Sequence, residues 1–497
     1  MKYAAGLLCL LIVGFCLGCA PKQLPSVNIF ITADIEGVFW ARPEPRYGNE
    51  VTGGLSVLKS FLNQQTTPFL LLEGGNWFSQ TPEGTLSKGD YFNGLSVSLP
   101  YTARLFAEQD LIYGWGALSH ILKNSPAPFV LSNVTLSSGY LPAGAKPWLL
   151  AQAGDYTIGI IGLVDPNAIK GLQRTSGVVI KDPVETTKEL VPLLREKGAQ
   201  VIVVLNTLGG GGDKKTPAEV ELAEEVSGID VIISAGLGQE NAENRQVGKT
   251  WFVYPGARLD SISRVQLFFA KDGQLAATQV EDIVLYKRDF GEDEEIARAI
   301  EAVRQAARSQ MIRTVGKSEK SMTGKWEGES VLGNWAADCL RKWAKTDAAV
   351  LNASSLRASL PQGPVTQYDL YNLYPYNDHV TYLTIKGAAL QQALEEGLSV
   401  ADNFAQISGL RIKYRPDQPA GKRISSIQIN GAPLVPWATY RIAVTDYMLS
   451  GGAGHDGFID SLEFKNTQVE MRTVLRLCLA GNKPVTAPEV GRWRISK

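Results

Sequence analysis

Residues 70–78 read LLLEGGNWF: three leucines, Glu73, two glycines and then Asn76. The apolar run reads as a buried strand that delivers a side chain to a site at its end. Chemistry at a strand end commonly uses a charged group, yet the residue presented here is a neutral amide. Four further runs share this character: VNIFIT from Val27, YTIGIIGLV from Tyr156, VIVVLNTLG from Val201 and IDVIISAG from Ile229. Helix-length segments such as PVETTKELVPLLREKG separate them. Continuous apolar strands alternating with helices indicate an α/β arrangement buried on both faces. Several runs end in small or polar residues, where open α/β sheets place their sites.

The chain has 497 residues, 44% hydrophobic and 20% charged, enough for two or more domains. Its 49 basic and 50 acidic residues leave a net charge of −1, so no nucleic-acid footprint is expected. Past the N-terminus, no stretch approaches the ~20 apolar residues that span a bilayer.

The N-terminus, MKYAAGLLCLLIVGFCLGCAPK, has Lys2, an apolar core from Ala4 to Leu17, and then Gly18-Cys19. A basic start, an apolar core and a small residue make a secretory signal, here residues 1–19. Its end resembles the lipobox of bacterial lipoproteins, departing at Cys16, where that pattern prefers an aliphatic residue. The resemblance implies lipidation of Cys19 and a lipid anchor on the periplasmic face of a bacterial membrane, with the outer membrane preferred. A plain signal peptide is the other reading. Past this leader only Cys339 and Cys478 remain. They are too few for a disulfide framework, or for structural zinc without histidines, and their pairing stays open.

EDEEIARAIEAVRQAARSQMI, from Glu292 to Ile312, is rich in helix formers, with acids first and bases later as the helix dipole favours. It reads as a linker helix within 291–324. The following region, 325–497, opens with ESVLGNWAADCLRKWAK. There Val331, Leu332, Trp335, Ala336, Cys339, Leu340 and Trp343 fall on one helical face. Then come AAVLNASSLRASL, YPYNDH, the helix KGAALQQALEEGL and the strands SGLRIKY and SSIQINGAPL, with Asn430-Gly431 as a hairpin turn.

This order of elements resembles the bacterial 5′-nucleotidase family. The resemblance implies an N-terminal calcineurin-like metallophosphoesterase domain (25–290) built as a four-layer α/β sandwich. A linker helix and a C-terminal α/β nucleotide-recognition domain (325–497) would follow. It is most specific in LNASSLRASLPQGPVTQYDLYNLYPYND, NFAQISGLRIKY and TDYMLSGGAGHDGF. Carried over by position, it implies substrate-binding roles for Asn352, Arg357 and Phe404. The second ring clamping the base would be Phe458, from GHDGF, or His455, from the first glycine pair. Stacking on a flat ring is worth ~1–3 kcal/mol per base and tolerates base identity. The competing reading makes Phe404 a strand core residue and Arg357 a surface charge. An additional family arginine upstream of Gly333-Asn334 has only Lys325 as a basic counterpart.

The same resemblance implies two metal ions held by carboxylates and imidazoles at strand ends. Here the segments depart from that pattern. Asp34 is kept, but Glu36 replaces the first histidine and Asn76 the bridging aspartate. Glu108, Gln109 and Asp110 stand for Asn-His-Glu, Thr207 for the next histidine, and Leu237 and Gln239 for the last two. The chain holds three histidines, and only His120, on a helical stretch, lies in the first region. A multi-histidine dimetal centre is therefore not expected, and no cofactor follows. An oxygen-rich alternative would gather Asp34, Glu36, Asn76 and Glu108 around Mg, Ca or Mn.

Three functions stay open. One is an envelope lipoprotein binding a nucleotide, nucleoside or related ligand with a degenerate catalytic centre. Another is an active nucleotide phosphohydrolase with an altered metal site. The last is a structural protein with a protein partner in the envelope. GGGGD at Gly209–Asp213 reads as a loop, and VGKT at Val247–Thr250 lacks the first P-loop glycine.

Overall fold

The computed structural model describes residues 24–78, 81–166, 177–208, 217–235, 242–399 and 404–496. Cys19, the glycine run from Gly209, Leu237 and Gln239 lie outside the described residues.

The first region contains two large sheets. In the seven-stranded sheet, Ser26–Thr32, Phe69–Glu73, Tyr101–Arg104, Phe129–Val130 and Ala145–Lys146 run parallel, in that order. The antiparallel strands Ser261–Phe269 and Leu275–Val284 complete one edge. The six-stranded sheet places Tyr156–Leu163, Val201–Asn206, Val231–Ser234 and Thr250–Val253 parallel, with antiparallel strands at both edges.

Period-two alternation explains why these strands are apolar throughout. In Val201–Asn206, Val203 and Leu205 enter the core between the sheets, while Ile202 and Val204 meet the helices Pro183–Glu196 and Ala218–Glu225. On the far side, Leu58, Phe61 and Leu62 of the helix Leu55–Asn63 cover the other sheet around Phe30. Helix, sheet, sheet and helix are the four layers expected from the resemblance.

The sheets come closest at glycines. A Cβ on Gly162 would lie 1.9 Å from the Val130 carbonyl oxygen, and one on Gly74 would lie 2.8 Å from the Ala235 Cβ. Gly75 has φ +113°, and a Cβ there would lie 2.8 Å from the Ala107 nitrogen. The glycine pair in LLLEGGNWF thus meets two separate demands: Gly74 the facing sheet, Gly75 a left-handed turn.

The linker helix spans Glu294–Met311, with the Asp293 side chain capping Ile296 N at 3.0 Å. Ile296 and Ile300 join the first core. In the second region a five-stranded sheet runs in the order Ala405–Ser408, Ala348–Asn352, Thr439–Thr445, His379–Lys386 and Glu463–Glu470. A four-stranded sheet carries Leu410–Tyr414, Ile424–Ile429 and Trp493–Ile495. SGLRIKY, read as one strand, is divided: Gly409, at φ +78°, passes the chain from one sheet to the other. A Cβ there would lie 2.3 Å from the Asp347 carbonyl oxygen. Asn430 and Gly431 both have positive φ, the signature of the primed turn their sequence announced. VGKT forms the tip of the hairpin Arg245–Val247 and Thr250–Val253, not a helix-capping phosphate loop.

The question left open for the cysteines is answered: Cys339 and Cys478 are bonded, 139 residues apart, joining the helices Val331–Ala344 and Met471–Leu479. Closing so long a loop restricts the unfolded chain, so the Cys339→Ala, Cys478→Ala double variant should lose about 2–5 kcal/mol of stability. Denaturant titration with and without reductant measures this, and the variant's midpoint should no longer respond to reductant.

Candidate active site and ligand-binding residues

The strand ends of both sheets converge on one cleft. Asp34 and Glu36 follow the first strand, Asn76 the second, Glu108 and Gln109 the third. Three of these positions are left-handed, with φ 48° at Asp34, 53° at Glu36 and 57° at Asn76. Such backbone outliers cost energy and concentrate at functional sites. They are held by a ladder in which Asp34 N, Glu36 N and Gly37 N donate to the carbonyls of Gly75, Asn76 and Trp77 at 2.8–2.9 Å.

The Asn76 side chain answers the question its sequence raises. Its Nδ2 donates to Asp34 Oδ1 at 2.8 Å, and its Oδ1 accepts from Gln109 N at 3.0 Å. An amide can do both, whereas an ionised carboxylate could only accept and would repel Asp34. Glu36 is likewise occupied, accepting from Arg258 Nε at 2.9 Å. Asp110 accepts the backbone N–H groups of Asn76, Trp77 and Ala107 at 2.8–3.0 Å, which makes it a structural clasp. Thr207 is buried, and its hydroxyl accepts from Asp165 N at 3.2 Å.

Glu108 retains metal-ligand character: its Oε1 is buried without a hydrogen-bond partner. Burial, then the charges of Asp165, Asp34 and Asp110, push its carboxyl up to about 7. Asp165 was missed by sequence reasoning; its one local signal is its place just past the strand Tyr156–Leu163. Arg258 gave none, standing 222 residues from the carboxylate it neutralises. Among the described residues, no group of three or more His, Cys, Asp or Glu side chains is gathered closely enough to hold a metal ion. His120 pairs at 3.3 Å with Asp90 on the surface. The donors present do not fit a pair of transition-metal ions. The oxygen-ligand set of Asp34, Glu36, Asn76 and Glu108 is weakened by the bonds that Glu36 and Asn76 already make.

In the second region Asn352 ends the strand Ala348–Asn352, buried, with Nδ2 bonded to Ser354 Oγ at 3.1 Å and Oδ1 unpartnered. Half-buried Phe404 packs edge-on against Trp493 at 4.8 Å. Arg357 is exposed, its guanidinium 4.9 Å above the ring of Trp326. Trp326, another residue missed from sequence, ties these positions together: its Nε1 donates to the Leu356 carbonyl, and its own carbonyl accepts Phe404 N.

Neither candidate for the second clamping ring holds. Phe458 is fully buried in the core with Leu390 and Leu394. His455 is also fully buried, its Nδ1 2.7 Å from the Ala393 carbonyl, and Gly397 leaves the space its ring fills. The glycine-rich loop before them is kinked, with left-handed backbone at Gly451, Ala453 and Gly454.

A four-layer sandwich with acidic side chains at its strand ends is followed by a helix and a second, mixed α/β region. Residues 311–460 match the family described as 5′-nucleotidase, C-terminal domain. Endonuclease YhcR of Bacillus subtilis is 28% identical over 73% of this chain, which spans 29% of that protein's length. Protein UshA of Yersinia enterocolitica is 23% identical, covering 93% of this chain and 92% of its own. The crystal structure of the 5′-nucleotidase precursor from Thermus thermophilus shares the fold, with a TM-score of 0.66 and 24% identity over 95% of this chain and 99% of its own. Over residues 311–460 the chain is similar to the 5′-nucleotidase C-terminal domain, and over nearly its whole length it shares the fold of that crystal structure.

Glu108, raised in the folded state, favours folding most while protonated, and that contribution is lost as pH rises through about 7. Glu108→Gln should therefore gain on the order of 2 kcal/mol over wild type between pH 5 and pH 8, read from denaturant midpoints at each pH. Asn76→Asp should destabilise the protein by about 2–4 kcal/mol at pH 8 in chelator, by removing a donor and opposing Asp34.

Proposed function

We propose that this chain is a cell-envelope member of the 5′-nucleotidase family that binds a nucleotide, nucleoside or related aromatic ligand through its second domain. In this reading its dimetal hydrolytic centre is dismantled, and the protein is tethered through Cys19. The Asn76 amide carries the reading: it bonds Asp34 and Gln109 N across the place where a bridging carboxylate would hold two cations. Glu36 is neutralised by Arg258 and Asp110 is spent on backbone N–H groups, so protein bonds replace metal bonds.

The second domain supports binding more directly. Asn352 keeps a buried acceptor without a partner, which a ligand hydroxyl or amine would satisfy. Phe404 and Trp326 supply flat surface, and Arg357 a charge at the rim. The ligand would then stack on one face only, because His455 and Phe458 are withdrawn. Affinity should be correspondingly modest.

A second reading is favoured by one observation: Asp34, Asp165 and the unpartnered Glu108 lie near enough to raise the Glu108 carboxyl to about 7. A single Mg, Ca or Mn ion would relieve that repulsion, and a hydrolytic water could be activated there.

Metal analysis of protein purified without chelator, with AMP hydrolysis across Mn²⁺, Mg²⁺ and Ca²⁺, separates the two. The first reading expects no stoichiometric metal and no turnover above heat-inactivated protein. It also expects a rise in melting temperature with adenosine that Phe404→Ala abolishes. Metal-dependent phosphate release lost in Asp34→Ala would establish the second. An unmoved melting curve across nucleosides, without turnover, would instead point to a protein partner.

A further inference from the structure

A polar cavity of about 530 Å³ lies where the four-stranded sheet meets the helix Val331–Ala344. Four arginines line it, Arg341, Arg411, Arg492 and Arg494, against two acids, Asp338 and Glu489. Their commitments differ. Arg492 is fully engaged, holding Asp338 with two bonds of 2.8 and 2.7 Å. Arg341 donates from Nε to Ser408 Oγ at 2.9 Å, and Arg494 from Nε to the Gly491 carbonyl at 3.1 Å. Both bonds use Nε, so the terminal nitrogens of these guanidinium groups are left for a ligand. The Arg411 side chain makes no hydrogen bond or ion pair among the described residues.

The placement follows from strand geometry. Lys413 stands opposite Arg494 on neighbouring parallel strands, and Arg411 lies two residues from Lys413, so all three project from one face. Trp493 alternates with Arg494 and packs from the opposite face against Phe404. The cavity is therefore separated from the Asn352 and Phe404 site by the thickness of the sheet. Clustered guanidinium groups repel one another, and Asp338 compensates only Arg492. A ligand with several anionic oxygens would pair with the remaining forks in bidentate fashion.

We propose that this cavity binds a phosphate-bearing small molecule, independently of the aromatic-ligand site. Pyrophosphate is the probe, titrated calorimetrically at constant ionic strength into wild type, Arg411→Gln/Arg494→Gln, and Phe404→Ala. Wild type should show one saturable site, and the double arginine variant should bind at least about tenfold more weakly, a loss of ~1.4 kcal/mol. Phe404→Ala should bind as wild type does. The double variant's unfolding midpoint without ligand should match wild type, and Arg411→Gln alone, which breaks no side-chain hydrogen bond or ion pair, repeats the comparison if it does not. Absence of saturable binding, affinity unchanged in the arginine variants, or loss of binding in Phe404→Ala would each overturn the proposal.

Discussion

The closeness of the two sheets in the first domain constrains everything built upon them. At Gly162 and Gly74 the facing layers leave no room for a methyl group, and the strand ends therefore reach the cleft as one assembly. Asp34, Asn76, Glu108 and Asp165 come from four strands in two sheets, yet they feel one another's charge or share hydrogen bonds. Interiors packed to this density transmit small displacements, so the left-handed turns at Asp34, Glu36 and Asn76 are held by the framework around them.

Within that framework, the charge problem of the cleft is solved with protein groups. Several acidic side chains at adjoining strand ends would ordinarily need cations. Here Arg258 faces Glu36, an amide separates Asp34 from the next strand, and Asp110 takes backbone N–H groups. Among the described acidic residues at these strand ends, Glu108 is left with a buried oxygen that makes no hydrogen bond. The left-handed turns at the strand ends are held by backbone hydrogen bonds, and most of the acidic side chains beside them are satisfied by protein groups.

The second domain shows the opposite balance. Its cores are well filled and its helices are cross-linked by Cys339 and Cys478. Polar capacity nonetheless remains unspent on either side of Trp493, which packs against Phe404 on one face of its strand while Arg494 projects from the other. One side offers aromatic surface and the Asn352 acceptor, the other offers guanidinium groups.

Much of this was legible in the sequence. Apolar runs of strand length, the acid-to-base gradient of the linker helix and the Asn430-Gly431 turn each encode local geometry, and the order of elements carried the family and the layered fold. The scarcity of histidine ruled out a multi-histidine centre before any coordinates. What the sequence could not supply were relations between distant residues. Arg258 reaches Glu36 from the far end of the domain, Asp165 reaches Glu108 from the other sheet, and Cys339 finds Cys478 across most of the second region. The burial of His455 and Phe458 was illegible for a related reason: the loop before them runs through left-handed residues at Gly451, Ala453 and Gly454, and where it packs depends on the helix Gly387–Gly397 against which His455 lies. Local preference fixes a strand or a helix, but the facing of a side chain depends on what the rest of the chain packs against it.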